Sequence, residues 1–223
     1  MADRSVLAEL AGFPTPALAN GIETFDVRPH NTGFMDATVR CMFPELGIVQ
    51  GFAATATIRA SAPGEDVTRE LWRHVLSVPE PRFVVVQDLD DPPGVGSFWG
   101  EVNSNIFQAF GCAGVITNGC VRDLDEMRTV GFHAFAGSVC VSHAYVHVKS
   151  SGQPVTIGGL DVRPGDLLQA DQHGVITIPL EIAAELPAAI RQLEAREKDV
   201  IAMFRAPGFS PESFAGTGDD VSH

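Results

Sequence analysis

Two short segments contain the residues of this chain best suited to chemistry. Gly100 and Glu101 stand where a glycine-rich loop meets a predicted helix, and Arg122 and Asp123 follow an apolar run after twenty intervening residues. Two carboxylates and a guanidinium at one edge of a sheet can hold a divalent cation together with an anionic ligand. This combination predicts a small-molecule enzyme rather than a scaffold.

The predicted helix that begins at Glu101 offers backbone donors to an anion. The N–H groups of Val102, Asn103 and Ser104 have no partner within the first turn, and the helix dipole favours negative charge there. The plain alternative is an ordinary helix entry, in which Glu101 is favoured by the same dipole.

The Arg122–Asp123 pair also has a structural alternative. Asp123 with Glu126 resembles a capping box, so Asp123 could cap the helix that begins at Leu124, and Arg122 could be a surface residue. The pair nevertheless lies at the end of a predicted buried strand, where open α/β sheets bind ligands. This position favours a functional role.

Glu197 lies within an apolar stripe of the predicted C-terminal helix, where a carboxylate is costly unless it meets a cation or hydrogen-bond donors. One interpretation is an ion pair with Arg191 or Lys198 of another copy, and the other is a contribution to an active site. The stripe consists of Ile182, Leu186, Ile190, Leu193, Ile201 and Phe204.

His143 and His147 are four residues apart, which would suit zinc on a helix. The surrounding residues, SVCVSHAYVHV, alternate as in a strand. We therefore expect these histidines to line a pocket or to pack rather than to bind zinc.

The hydrophobic pattern predicts a single α/β domain, residues 1–223, in which strands and helices alternate with short connections, as in covered and largely parallel sheets. A β-rich second layer follows from residue 138, and a ragged tail begins at about residue 206. The predicted helices are 5–12, 16–25, 65–78, 101–110, 124–130 and 182–204, and the predicted strands are 48–60, 83–87, 113–117, 133–136 and several after 138.

Composition limits the function. The formal net charge of −13 argues against nucleic-acid binding, and an anionic substrate would need local positive charge. The four cysteines lack CxxC spacing, which predicts reduced thiols. The sequence also shows no signal sequence and no apolar run long enough to cross a membrane, so we expect a cytoplasmic protein. Dinucleotide, Walker, serine-hydrolase and HExxH zinc motifs are absent from the sequence.

From about residue 10 to residue 209 the chain resembles the RraA-like proteins, which include 4-hydroxy-4-methyl-2-oxoglutarate/4-carboxy-4-hydroxy-2-oxoadipate aldolases. The resemblance implies a three-layer β/β/α swivelling fold and homotrimers, or hexamers of trimers, with active sites between subunits. The segments that carry it are WGE (99–101), GVITNGCVRD (114–123), GFHAFA (131–136), PVTIGGLDVRPGD (154–166) and ADQHGVITIP (170–179).

The resemblance also implies roles for the first group of residues. Asp123 matches an aspartate that binds Mg²⁺ or Mn²⁺, and Arg122 matches an arginine that holds a 2-oxo acid substrate and its enolate. Glu101 matches an acidic residue that binds the waters of the metal.

Other roles implied by the resemblance involve backbone and a neighbouring subunit. The backbone around Gly100, Val102 and Asn103 matches amides that receive the substrate carboxylate. Glu197, with Glu194 as an alternative, is the candidate for a glutamate supplied by an adjacent subunit.

Three features depart from the aldolase pattern: glutamate rather than aspartate at 101, asparagine at 103, and the histidines 143 and 147. Asp123 favours the enzymatic branch, since the branch that inhibits ribonuclease E lacks this aspartate. We expect a metal-dependent lyase that cleaves a 4-hydroxy-2-oxo acid to release pyruvate and also decarboxylates oxaloacetate. The alternatives are a non-catalytic regulatory binding protein, or a metal-dependent decarboxylase or hydrolase on a related hydroxy or oxo acid, with His143 and His147 lining its pocket.

Overall fold

The computed structural model describes residues 4–211. The helices are α1 (Arg4–Leu10), α2 (Thr15–Glu23), α3 (Thr68–Ser77), α4 (Glu101–Ala109), α5 (Leu124–Val130) and α6 (Leu186–Phe204). The strands are β1 (Arg40–Cys41), β2 (Val49–Arg59), β3 (Arg82–Asp88), β4 (Cys112–Val121), β5 (His133–Val139), β6 (His147–Ser151), β7 (Val155–Ile157), β8 (Leu160–Val162), β9 (Leu167–Asp171) and β10 (Gly174–Ile178).

Strands β2 to β5 form the parallel centre of a mixed sheet whose order is β1-β5-β4-β3-β2-β9-β10, with β6 also paired to β2. Parallel neighbours need crossover connections, and α3, α4 and α5 supply them in turn. Strand β3 is an almost continuous apolar run because both of its faces are covered. The predicted alternation of strands and helices is confirmed.

The two faces of the sheet are covered differently. Val84 and Val86 of β3 pack with the helices, whereas Phe83 and Val85 face the layer that includes the β7–β8 hairpin. Side chains of a strand alternate between faces, so one strand contributes to both cores. The α/β fold with β/β/α layers that the resemblance implied is therefore present.

Strand β4 is longer than predicted, because the strand expected at 113–117 continues to Val121. Its pairing with β5 shifts register between Thr117 and Cys120, and on its other side the Asn118 side chain bonds to the backbone of Asp88 at the end of β3. Asn118 Oδ1 accepts the Asp88 N–H at 2.7 Å, and Nδ2 donates to the Asp88 carbonyl at 3.0 Å. Arg122 and Asp123 thus follow the strand directly.

The strand predicted across the SVCVSHAYVHV segment is wrong. Strand β5 ends at Val139 and β6 begins at His147, and residues 140–146 form a loop. The Ser97 N–H donates to the Ser142 carbonyl at 3.0 Å, and the Tyr145 N–H donates to the Ala60 carbonyl at 3.1 Å. Because these bonds come from distant segments, local alternation could not reveal them.

The C-terminal helix begins at Leu186 rather than at residue 182. Proline is tolerated in the first helical turn, where its missing N–H costs nothing, and Pro187 stands there. Leu186 and Ile190 are buried, but Ile201 and Met203 are exposed near the other end. Residues 212–223 of the predicted ragged tail lie outside the described residues.

Asp171 fixes the start of α2 against the end of β9. Its carboxylate accepts the Thr15 N–H at 2.8 Å, the Thr15 hydroxyl at 2.7 Å and the His173 N–H at 2.8 Å. Burial opposes ionisation, but the hydrogen bonds from Thr15 and His173 hold the pKa of Asp171 below its ordinary value. The ionised carboxylate therefore stabilises the fold above about pH 4, and this contribution is lost as the pH falls through the lowered pKa.

We expect Asp171→Asn to lower the free energy of unfolding by about 1.5–3 kcal/mol at neutral pH, the range for hydrogen bonds to charged groups. Urea denaturation of variant and wild type at about pH 7 and about pH 3 measures this, and the difference should shrink at the lower pH. Asp161→Asn, at an exposed position on β8, is the control. A difference that grew on acidification would contradict the assignment.

Candidate active site

The end of β4 and the start of α4 lie side by side. Trp99 and Val121 form an isolated parallel bridge, and the Arg122 N–H donates to the Trp99 carbonyl at 3.1 Å. The buried Ser97 hydroxyl lies 2.6 Å from the Trp99 carbonyl and 2.8 Å from the Cys120 carbonyl. These contacts place the first turn of α4 beside Arg122 and Asp123.

The Asp123 carboxylate does not cap its own helix, so the capping-box alternative is wrong. Asp123 adopts a left-handed backbone conformation, with φ of 53°, and makes no side-chain bond to the start of α5. Its Oδ2 instead accepts the Glu101 N–H at 3.2 Å and lies 3.8 Å from Arg122 Nε. A non-glycine residue in this conformation is strained, and such strain is concentrated at functional sites.

Gly100 leaves room for that carboxylate. A Cβ at this position would fall far inside contact distance of Asp123 Oδ2 and 3.3 Å from Arg122 Cγ. The Gly100 backbone is extended, with φ of −163°, so the close approach and not the backbone conformation requires glycine here. The close approach of Asp123 and Arg122 therefore explains why glycine occupies position 100.

A cavity of about 220 Å³ opens at this junction. It brings together six of the residues proposed from the sequence, namely Gly100, Val102, Asn103, Arg122, Asp123 and His143. Sequence reasoning missed three further lining residues, Ser97, Phe98 and Val146. The glycine-rich loop GVGSFWG was the available signal for the first two, whereas Val146 gave none.

Two predicted residues contribute to the junction in different ways. Glu101 has an exposed side chain at the first position of α4, and its backbone N–H is the donor to Asp123. The Asn103 side-chain amide donates to the Phe98 carbonyl, which ties the first turn of α4 to the preceding loop.

The two histidines are in different environments. His143 is exposed and lines the cavity, with Nδ1 2.8 Å from the Ala144 carbonyl. His147 is buried on β6, with its ring against Gly64 and its Nδ1 2.8 Å from the Tyr145 carbonyl. One histidine therefore lines the cavity and the other packs, and they do not form a zinc pair.

Glu197 and Glu194 do not reach this cavity within one chain. Both are half-buried on α6, which packs against α1 and α2. Helix α2 in turn contacts β9 and β10. In the strand order these two strands are at the opposite end of the sheet from β4 and β5. Arg191, suggested as a partner for Glu197, forms an ion pair with Glu9 of its own chain.

The donor chemistry at the junction fits a divalent ion such as Mg²⁺ or Mn²⁺. Asp123 supplies carboxylate oxygens at the cavity, and the missing Cβ of Gly100 leaves space beside its Oδ2. The Glu101 side chain is exposed and does not line the cavity. Over residues 4–211 no group of three or more His, Cys, Asp or Glu side chains is positioned to enclose a metal. A single carboxylate such as that of Asp123 is a ligand type that Mg²⁺ accepts, since Mg²⁺ commonly keeps several of its waters.

Among the helices of the described segment, none has the length and apolar character needed to cross a membrane.

Comparisons with known proteins agree with the fold. RraAS2 from Streptomyces coelicolor, described as an unusual member of the RNase ES inhibitor RraA protein family, superposes with a TM-score of 0.71 at 21% identity. The superposition covers 89% of this chain and 96% of RraAS2. This similarity concerns the fold alone.

Sequence relatives include a Deinococcus radiodurans protein provisionally named 4-hydroxy-4-methyl-2-oxoglutarate aldolase. It is 32% identical over 146 residues, which cover 59% of this chain and 78% of the relative. Protein MJ0644 of Methanocaldococcus jannaschii is 25% identical over 134 residues, which cover 56% of this chain and 61% of that protein. MJ0644 and six other curated relatives are matched over less than two thirds of their own length.

A family model described as RraA-like, Aldolase/RraA, matches residues 15–177, which include β1 to β9, all of β10 but its last residue, and every cavity-lining residue. With this match and the shared fold, the chain belongs to the RraA-like family.

Proposed function

We propose that this protein is a divalent-metal-dependent lyase that cleaves a C–C bond of a 4-hydroxy-2-oxo acid and releases pyruvate. The observation that carries the proposal is the cavity where Arg122, Asp123 and the first turn of α4 meet. The names of several relatives, provisionally 4-hydroxy-4-methyl-2-oxoglutarate aldolases, support the same class of reaction.

The cavity suits the 2-oxo acid end of such a substrate. Its volume of about 220 Å³ is below the range for drug-sized ligands, so a small metabolite fits. The N–H groups of Val102 and Asn103 at the start of α4, with the helix dipole, attract a carboxylate. The Ser104 N–H, also expected to be free, instead donates to the Gly100 carbonyl at 3.0 Å. In a chain with a net charge of −13, the Arg122 guanidinium supplies the local positive charge that an anionic substrate needs.

Cleavage of the C3–C4 bond leaves negative charge on the former 2-oxo oxygen, in an enolate. Arg122 stabilises this charge because a guanidinium donates strong, paired hydrogen bonds to oxyanions. Mg²⁺ or Mn²⁺ held at Asp123 would supply Lewis-acid polarisation of the same oxygen. Glu101, exposed at the start of α4, takes the proton of the 4-hydroxyl as the bond breaks and passes it to solvent, and solvent returns a proton to C3 of the enolate to give pyruvate.

Direct measurement of pyruvate tests the proposal. Purified protein is incubated with 4-hydroxy-2-oxo diacids, oxaloacetate and simple hydroxy acids, with Mg²⁺ or with EDTA. We expect pyruvate from the 4-hydroxy-2-oxo acids and from oxaloacetate, and its loss in EDTA. If no compound of the panel yields pyruvate with Mg²⁺ or Mn²⁺, the lyase proposal is wrong and a non-catalytic binding role becomes the better explanation.

We further propose a homo-oligomer, a trimer or a hexamer, in which Glu197 reaches the cavity of a neighbour. The exposed Ile201 and Met203 on the same helix as Glu197 support a contact with another copy, because exposed apolar side chains close together mark interaction surfaces. Sedimentation analysis measures the mass in solution, and a monomer at micromolar concentration would contradict this proposal.

Gly100→Ala is expected to lower turnover about a hundredfold without unfolding the protein, since a displacement of about 1 Å at a reacting group can have this effect. The added Cβ displaces the Asp123 carboxylate, while the extended backbone at Gly100 accepts alanine. Steady-state kinetics measure the loss of turnover, and a thermal melt checks that the variant stays folded. Gln108→Ala, at an exposed position of the same helix, should keep wild-type turnover. Normal kinetics in the Gly100 variant would show that the close approach is not required.

A further inference from the structure

Two cysteines lie next to each other beside the candidate site, Cys120 two residues before Arg122 and Cys140 three residues before His143. Cys120 is buried on β4, and Cys140 is half-buried immediately after β5. Their Sγ atoms are 2.6 Å apart, and both cysteines are free thiols. This separation is only about half an ångström longer than a disulfide bond of about 2.05 Å.

Backbone contacts hold the two sulfur atoms together. Val121 pairs with Val139 in the parallel ladder, and the Cys140 N–H donates to the Val121 carbonyl at 3.1 Å. The Cys140 thiol lies 3.2 Å from the Ser142 carbonyl, which also accepts the Ser97 N–H. The sulfur atoms are therefore close because of the sheet and the loop, and little movement is needed to join them.

We propose that Cys120 and Cys140 form a reversible disulfide that fastens the 140–146 loop to the end of β4. The loop carries His143, and Cys120 lies two residues before Arg122, so the bond would join two sides of the cavity. Neither the proposed lyase activity nor a metal is required for this bond to form.

The oxidant is a hydroperoxide, and Cys140 reacts first because it is the more accessible thiol. Its thiolate attacks a peroxide oxygen, forming a sulfenic acid and releasing water or an alcohol. The Cys120 sulfur then attacks the Cys140 sulfur, forming the S–S bond and releasing water. In total the thiols lose two electrons and two protons, and the peroxide is reduced.

The other thiols are less suited to this reaction. Burial raises the pKa of Cys112 to about 12, which keeps it protonated, and burial also raises the pKa of Cys41. Because the thiolate is the reactive form, both should stay reduced under mild oxidation. The pKa of Cys120 is likewise raised by burial, so Cys120 does not react first. Its advantage over Cys112 and Cys41 is that its sulfur lies 2.6 Å from the Cys140 sulfur.

Mild oxidation of the purified full chain with hydrogen peroxide tests the proposal. We expect two of the four thiols to be lost, a cross-linked peptide pair containing Cys120 and Cys140 by mass spectrometry, and full recovery with dithiothreitol. The melting temperature should rise by about 6–12 °C, since closing a loop of about 20 residues contributes about 3 kcal/mol and each kcal/mol shifts the melting temperature by about 2–4 °C in a protein of this size.

Single variants provide the controls. Cys120→Ser and Cys140→Ser should each abolish the cross-link and the rise in melting temperature, whereas Cys41→Ala should leave both unchanged. The proposal is overturned if the wild-type chain keeps all four thiols, if the cross-link joins other cysteines, or if Cys140 proceeds to a sulfinic acid while Cys120 stays a thiol. Because the readouts are thiols and stability, they do not depend on the lyase assay.

Discussion

Arg122→Ala is expected to lower the rate of pyruvate release by about a hundred- to a thousandfold, or about 2.7–4 kcal/mol of transition-state stabilisation. The reason is the loss of the guanidinium positioned at the cavity, where negative charge develops. Arg122 is half-buried and lies 3.8 Å from Asp123, so its removal should leave the fold intact. The Arg122→Lys variant keeps the positive charge but lacks the planar pair of donors. Its rate should therefore lie between those of the wild type and of Arg122→Ala.

Steady-state kinetics with and without Mg²⁺ measure this effect, and circular dichroism confirms folding. Arg163→Ala is the matched control, because Arg163 is exposed in the connection between β8 and β9. If Arg122→Ala turns over at the wild-type rate while remaining folded, the assignment of Arg122 to the oxyanion is wrong.

Asp123→Asn is expected to lower Mg²⁺-dependent turnover by at least about a hundredfold, since a lost electrostatic contact at the reacting oxygen has this order of effect. The amide oxygen of asparagine can still accept the Glu101 N–H, so the junction between β4 and α4 should survive. Asparagine lacks the negative charge, however, and binds a divalent cation more weakly.

Titration of activity with Mg²⁺ separates metal binding from folding. The half-saturating Mg²⁺ concentration should rise in Asp123→Asn and stay unchanged in Asp125→Asn, whose carboxylate is 91% exposed and pairs with Arg128. An unchanged Mg²⁺ dependence in the Asp123 variant would show that the metal is held elsewhere.

The sequence predicted the central elements well, because local hydrophobic periodicity reports burial within one strand or helix. The buried apolar run of β3 and the helix starts at Glu101 and Leu124 are examples. The boundaries were less accurate. Strand β4 extends to Val121 because Cys120 and Val121 pair with residues 138 and 139 of β5, beyond the predicted end of that strand.

The sequence predicted several residues of the candidate site but not the contacts between them. Spacing and resemblance identified Gly100, Arg122 and Asp123, and the structure places them around one cavity. The D-x-x-E pattern equally allowed Asp123 to cap α5, and only the structure shows the carboxylate directed to the Glu101 N–H of α4.

The sequence by itself determined the α/β alternation, the acidic charge and the residue types available for chemistry, since these depend on composition and neighbouring positions. The tertiary structure decided which distant residues meet: His143 reaches the cavity on a loop predicted as strand, and Cys120 lies against Cys140 without any CxxC spacing. The physical reason is that such contacts depend on strand register and loop packing, which are set by long-range bonds rather than by local periodicity.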